Sequence, residues 1–189
     1  PVVVDIPKNI QKAMGSDVYP NEVNIRGYKP NTTVHVGQVK KACSIISKAK
    51  RPLFLLGGGV SISGANDLMM KLVEKTGIPA VTTLMGKGAI DSRHPLYLGN
   101  IGIHGGYAPN VALTDCDVMI SIGTRFNDRI TGKLSTFAQN CKIIHIDVDA
   151  ASISKNIKVD IPIVADAKLA IEKLLEYIEP HDLGEWPAQ

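Results

Sequence analysis

The chain has little cysteine, few aromatics and no strong excess of one charge, and each shortage narrows what it can be. Three cysteines among 189 residues, Cys43, Cys116 and Cys141, make no Cys-x-x-Cys pair and leave one over. That excludes a disulfide framework or a cysteine-rich zinc site and predicts a reducing, cytoplasmic-type compartment. Cys43 falls in a helical pattern and Cys116 just ahead of an apolar run, where a free thiol acts as a small buried hydrophobe. A net charge of +3, scattered lysines and only 5% aromatics provide no basic stripe for nucleic acid. No run of 18 apolar residues occurs, so no membrane-spanning helix is expected. The charged, proline-bearing first residues do not make a signal peptide. There is no His-Glu-x-x-His, no Ser/His/Asp order, no Cys/His metal spacing and no Gly-Asp-Gly followed by Asn. No residue set here is equipped to make or break a carbon–carbon bond by itself, and no catalytic residue or metal ligand is assigned.

What is present is an alternation of short apolar runs and helical periodicities. A chain with 44% hydrophobic and 21% charged residues suits one domain with a sizeable core. Strands are expected at 52–56, 79–83, 118–122, 143–148 and 161–165. Helices are expected at 35–49, at 63–76 with Ser63 as N-cap and Gly77 as stop, at 108–114 and at 167–178. Residues 84–106 read as a long glycine-bearing loop, a length that is commonly functional. Strands alternating with helices imply an α/β fold with a parallel sheet and right-handed crossovers. Pro1-Val2-Val3-Val4-Asp5-Ile6-Pro7 reads as one more strand, of the kind buried on both faces, but with no neighbours ahead of it. The expectation is therefore a piece of a longer polypeptide. Residues 1–33 would end a preceding domain and form a linker, 34–180 would be the domain itself, and 181–189 would lead to a following one.

Polar groups gather at the expected carboxyl ends of the strands, where open α/β sheets place ligands. Gly57-Gly58-Gly59 follows the first core strand, where glycine lets a backbone approach a pyrophosphate. The spacing is not Gly-x-Gly-x-x-Gly, and the next strand ends in Thr82-Thr83 instead of an acid, which disfavours an ordinary NAD site. Gly86-Lys87-Gly88 lacks the flanking residues of a P-loop. Gly123-Thr124-Arg125-Phe126-Asn127-Asp128-Arg129-Ile130-Thr131-Gly132 follows Val118-Met119-Ile120-Ser121-Ile122 and carries two arginines, which fork onto phosphate or carboxylate. Asp128 could equally neutralise them on the surface. Asp147 and Asp166 end later strands and could accept ribose hydroxyls or cap helices.

In combination these motifs carry a resemblance. Leu98-Gly99-Asn100-Ile101-Gly102-Ile103-His104-Gly105, the 123–132 loop, His145-Ile146-Asp147-Val148-Asp149 and Ser152-Ile153-Ser154-Lys155 resemble the central domain of the acetohydroxyacid (acetolactate) synthase large-subunit family. That family uses thiamine diphosphate and also binds FAD. The resemblance covers essentially the whole chain. It implies a three-layer, doubly wound, six-stranded parallel sheet holding FAD in an extended pose. Gly57, Gly58 and Gly59 would face the cofactor backbone-first, and Thr83 and Leu84 would line its adenosine or ribityl region. Ile103, His104 and Gly105 would lie near the flavin half. Gly123, Thr124, Arg125, Arg129 and Ile130 would flank the ribityl and pyrophosphate. Asp147 and Val148 would meet the adenine ribose, and Asp166 and Ala167 the adenine side.

Lys29 stands where the family often has an arginine, Met85 where it often has Gln, and Ile103 in place of a Met. The arginine loop favours the biosynthetic, FAD-containing type over the FAD-free fermentative one. The larger enzyme would join two pyruvates, or pyruvate and 2-oxobutyrate, with loss of carbon dioxide, for branched-chain amino acids. Thiamine diphosphate and Mg2+ would sit in its other domains, a homo-oligomer and a regulatory small subunit would complete it, and Asp128 and Arg129 would border the substrate channel. The alternatives are the middle domain of another thiamine-diphosphate carboligase or oxo-acid decarboxylase, or a plain nucleotide-binding module that senses ADP.

Overall fold

The computed structural model describes residues 3–24, 31–180 and 182–186. Pro1 and Val2 of the expected first strand, the linker position Lys29, and 187–189 of the expected terminal linker lie outside these.

Six parallel strands form one sheet in the order β3-β2-β1-β4-β5-β6. In chain order they are β1 (Pro52–Leu56), β2 (Ala80–Thr82), β3 (Tyr97–Asn100), β4 (Val118–Ile122), β5 (Lys142–Asp147) and β6 (Ile161–Val164). The helices are α1 (Lys8–Gln11), α2 (Val36–Ile46), α3 (Gly58–Ile62), α4 (Asn66–Thr76), α5 (Tyr107–Asp115), α6 (Asp128–Thr131) and α7 (Ala167–Tyr177). Every residue of β1 and β4 is buried, which is why their sequences are apolar runs, broken only by Ser121 in β4, instead of alternating ones. Successive side chains still go to opposite faces. Phe54, Leu56, Ile120, Ile122, Ile144 and Ile146 pack under α2, α4 and α7. Leu53, Leu55, Met119 and Ile143 join Leu113 of α5, Phe126 and Trp186 on the other face. Two filled faces make the three layers. Truncating a wholly buried residue such as Leu55 or Ile120 to alanine costs roughly 2–5 kcal/mol.

The local chemistry of the ends follows the residues. Asp166 caps α7, accepting from the N–H of Lys168 at 2.9 Å and of Leu169 at 3.4 Å. His35 caps α2 through Nδ1, which accepts from Gln38 N–H. Gly77, at φ +66°, ends α4 with its N–H on the Val73 carbonyl.

Four expectations change. The helix expected at 63–76 is two, α3 and α4, because the chain reverses at Gly64 in the left-handed region. Ser63 is thus no N-cap. It stands at the end of α3, and its hydroxyl bonds the Val60 carbonyl. The loop expected at 84–106 contains β3, an edge strand that continues the sheet despite a register shift between Ala80 and Val81. The strand expected at 1–7 is not one over its described part. Residues 3–24 are all exposed, and no strand of the sheet pairs with them. Cys116 is buried, as a free thiol should be, but its Sγ lies 3.4 Å from that of Cys141. Among the described residues no helix is long and apolar enough to cross a membrane.

Candidate functional site

The carboxyl ends of all six strands open into one cleft of about 840 Å3. At the ~4.8 Å spacing of neighbouring strands, six tips span roughly 24 Å. The order of the strands reverses between β1 and β4, and that switch point is the place where a doubly wound sheet leaves a crevice.

At the crevice the two flanking turns are in backbone contact. The Gly59 N–H donates to the Gly123 carbonyl at 3.0 Å, and the Gly57 N–H to the Ile122 carbonyl at 2.9 Å. A Cβ on Gly57 would lie 2.2 Å from the Gly123 oxygen, and one on Gly59 would lie 2.6 Å from the Gly123 Cα. Gly123 itself sits at φ +61°. These glycines let two strand ends meet, and only glycine permits that approach. Gly58 and Gly59 still line the cleft, whereas Gly57 does not.

The 123–126 turn is held from three sides. Gly123 N–H donates to the Ile146 carbonyl of β5 at 2.8 Å. His145 Nε2 meets the Thr124 carbonyl at 2.9 Å, and Asn156 Nδ2 donates to the Phe126 carbonyl at 2.5 Å. Burial of the imidazole depresses the pKa of His145, so the ring is neutral. Arg125 projects from this braced turn into the cleft, and among the described residues its guanidinium makes no hydrogen bond or ion pair. Arg129 has only a loose, exposed pairing with Asp128 at 3.9 Å, which contributes little. Arg125 also borders a smaller recess of about 320 Å3 that Lys155 lines.

The opposite charges gather on the next two strands. Asp147 accepts from the Asp149 N–H, and Asp149 from the Ala151 N–H, each at 2.9 Å. Hydrogen bonds from Ser152 and Ala151 hold the Asp149 carboxyl below its ordinary pKa. Asp166 caps α7, as one of its two readings expected, and it also lines the cleft. The cleft is thus cationic at the β4 tip and anionic at the tips of β5 and β6.

On the far side, the Ile103 N–H donates to the Arg129 carbonyl at 3.1 Å and zips the 101–106 loop to α6. Asn110 pins the same loop: Oδ1 accepts from Gly102 N–H, and Nδ2 donates to the carbonyls of Gly102 and Gly106. Thr83 Oγ accepts from Gly86 N–H and turns Leu84 and Met85 into the opening. Leu84, Met85, Ile62, Ile103 and Val148 are exposed apolar walls at the mouth.

Of the residues expected from sequence, Gly58, Gly59, Thr83, Leu84, Ile103, His104, Gly123, Thr124, Arg125, Arg129, Ile130, Asp147, Val148, Asp166 and Ala167 line this one cleft. Gly57 and Gly105 do not: a Cβ on Gly105 would lie 2.5 Å from the Asn100 oxygen, so it too is a packing glycine. Residues missed include Asn100, Met85, Ile62 and Ser152 in the lining, and Asn110 and Asn156 behind it. No periodicity marks an asparagine that braces a loop. The glycine pairs that flank such loops are the one available signal.

The family described as "Thiamine pyrophosphate enzyme, central domain" matches residues 39–174. A probable acetolactate synthase large subunit of Methanococcus aeolicus is 50% identical over 182 residues, which are 95% of this chain and 30% of that protein. One from Methanocaldococcus jannaschii is 50% identical over 178 residues, 93% of this chain and 30% of that protein. The acetolactate synthase large subunit of Corynebacterium glutamicum is 42% identical over 191 residues, with 98% and 30% covered. The chain spans about 30% of the length of the curated relatives it matches.

Proposed function

The chain belongs to the central-domain family of thiamine pyrophosphate enzymes, and from that premise we propose that it is the cofactor-holding middle domain of an acetolactate synthase large subunit. The observation that carries the reading is the one cleft over six strand tips, lined by the Arg125 guanidinium, which has no hydrogen bond or ion pair among the described residues. A long ligand with an anionic waist, a sugar near acids and an apolar ring fits that distribution. FAD is such a ligand. Arg125, with Arg129 nearby, would take its pyrophosphate, Asp147 its adenosine ribose, Leu84 its adenosine or ribityl region, and Met85 and Ile103 its flavin ring. When bound, FAD would supply structure instead of redox chemistry, ordering the loops around it.

The residues here do not fit thiamine diphosphate. The sequence has no Gly-Asp-Gly with a following Asn, and among the described residues no three His, Cys, Asp or Glu side chains converge to hold a metal. That cofactor and its Mg2+ would be held by the remaining domains of the polypeptide, and those domains would carry out the condensation of pyruvate with pyruvate or 2-oxobutyrate. Residues 34–180 would be the domain proper, flanked by 1–33 and 181–189. The complete protein would be a cytoplasmic homo-oligomer with a regulatory small subunit.

Isothermal titration of the 189-residue chain with FAD and with ADP tests the site. Weak binding of both, tighter for FAD, is expected. Binding of neither at millimolar concentration overturns the assignment, and tight ADP binding with no gain from the flavin favours a nucleotide-sensing module. With pyruvate, thiamine diphosphate and Mg2+, the chain alone should form no acetolactate. Its formation would mean that the reactive centre lies here.

A further inference from the structure

A polar pair interrupts the apolar face of the sheet directly beneath the arginine turn. One row across the strands runs Val81, Leu55, Ser121, His145, Pro162. Ser121 and His145 are wholly buried, as are their neighbours Leu55 and Val81. A hydroxyl and an imidazole in such a layer are unfavourable unless hydrogen bonds satisfy them.

His145 Nε2 stands 2.9 Å from the Thr124 carbonyl oxygen. A carbonyl only accepts, so Nε2 carries the proton, and Nδ1 of the neutral ring is left as an acceptor. Nδ1 has no partner among the described residues, and neither has Ser121 Oγ, its registered neighbour on β4. One is an acceptor, the other a donor, and they occupy adjacent positions on one face. The ring is also clamped edge-on by Phe126, with centroids 5.0 Å apart at 77°. Asp147 Oδ2, at 3.8 Å from Nε2, is too far to compete for the proton.

We propose that His145 is the positioning residue of the anion-binding turn. The Ser121 hydroxyl donates to Nδ1 through one internal water, and so fixes the Nε2–H tautomer. That N–H holds the Thr124 carbonyl, which belongs to the peptide unit immediately before Arg125. Bonds to Ile146 and from Asn156 reach its two ends, at Gly123 and Phe126, and the Asn127 N–H closes locally on the Arg125 carbonyl at 3.0 Å. The bond from His145 acts on its middle, and because the Arg125 guanidinium has no hydrogen bond or ion pair among the described residues, its aim depends on that peptide. The inference rests on the reading of the cleft as an anionic-dinucleotide site.

The test uses the 189-residue chain with ADP as probe. His145→Phe keeps a ring and loses the donor, and ADP affinity should fall about tenfold, the worth of one hydrogen bond. His145→Gln restores an N–H and should recover affinity to within about threefold, while Ser121→Ala should lose about threefold. In an Arg125→Ala background, His145→Phe should cause no further loss, since both changes remove the same aimed charge. A histidine that merely fills the core would give independent, additive losses. A second readout needs no ligand: ring 15N shifts should show Nε2–H, and amide exchange at 123–127 should quicken in His145→Phe while the rest of the sheet keeps its protection. Unchanged affinity, additive losses, an Nδ1–H tautomer or unchanged exchange would each overturn the proposal. If the wild-type chain binds neither ADP nor FAD, the reading of the cleft fails. The tautomer and exchange results then still decide whether His145 holds the turn.

Discussion

Gly59→Ala sets helix propensity against close packing. Gly59 lies in α3, where alanine is intrinsically favoured over glycine by about 1 kcal/mol. Propensity alone therefore predicts a stabilised variant. The structure predicts the reverse. The new Cβ would lie 2.6 Å from the Gly123 Cα and 3.0 Å from its oxygen, both backbone atoms with no rotamer to yield. Ordinary carbon contacts need about 3.5–4 Å, so the two turns must part by about 1 Å. Parting lengthens the bonds from Gly59 N–H to Gly123 and from Gly57 N–H to Ile122, now 3.0 and 2.9 Å. Two bonds at about 1 kcal/mol each, with overpacking strain of about 1–3 kcal/mol, outweigh the propensity gain. The net expectation is about 2–4 kcal/mol of destabilisation, a fall in Tm of roughly 4–16 °C for a chain of this size. Trp186 reports unfolding, because it is the sole tryptophan and is buried with its indole N–H on the Pro52 carbonyl. Urea titration followed by its fluorescence gives the number. Gly64→Ala is the control, with φ +66° and open space around the added carbon. It should cost only about 1 kcal/mol. A Gly59→Ala chain as stable as the wild type, or more so, would refute the packing account of the glycine run.

The remaining expectations are these. Asn110→Ala removes three hydrogen bonds from the 102–106 loop, so hydrogen exchange should quicken there and weakly elsewhere, at a cost of about 1–2 kcal/mol. Burial lowers the pKa of His145 below the 6.5 of an unfolded imidazole. Between those values the unfolded chain holds the extra proton. The contribution of His145 is therefore fully present above pH 6.5 and is lost as pH falls toward the folded value. The urea midpoint of the wild type should drop more between pH 7.5 and 5.5 than that of His145→Gln, and equal drops would contradict it. Under native conditions at pH 8, iodoacetamide should label Cys141 first. Cys116 is buried with its thiol pushed up, and burial raises Cys43 to about 11. Mass spectrometry of tryptic peptides reads the order, and early labelling of Cys43 would mean that α2 opens readily.

Much of the sheet was legible because parallel strands buried on both faces must be apolar without interruption. Leu53 to Leu56 meet that condition, and Met119 to Ile122 and Ile143 to Ile146 meet it but for Ser121 and His145, so all three stand out. β3 does not: Tyr97, Leu98, Gly99 and Asn100 are half-buried at the sheet edge, and Gly99 sits at φ +118°. An edge strand of that kind has no periodicity to find. The split between α3 and α4 hid behind Ser63, a good capping residue, because nothing local says that Gly64 turns left-handed. The run Val3-Val4 reads as strand by composition, yet a strand needs a neighbour, and the sheet in this chain is complete without it. Side-chain bracing by Asn110, Asn156 and His145 was invisible for a different reason. Each bond spans from four to thirty residues and depends on the fold already formed.

The same glycines carry two messages, and geometry separates them. A glycine that faces a ligand must have open space where its Cβ would be, whereas a packing glycine has protein there. Gly57, Gly59 and Gly123 have backbone within 2.2–2.6 Å, so their primary duty is to join the tips of β1 and β4. That junction is what makes the cleft one continuous groove. With side chains there, the strand tips would stand apart at the point where the order of the sheet reverses, and Arg125 would lose the floor from which it projects. The polar residues then sort by charge along the groove, free arginine at β4 and backbone-engaged carboxylates at β5 and β6. A carboxylate already holding an N–H keeps its second oxygen for a hydroxyl, while an unpaired guanidinium has every donor for an anion. On the proposed reading, sugar on one side and phosphate on the other would follow from which residues the backbone has already engaged, with the triple glycine serving that order from beneath.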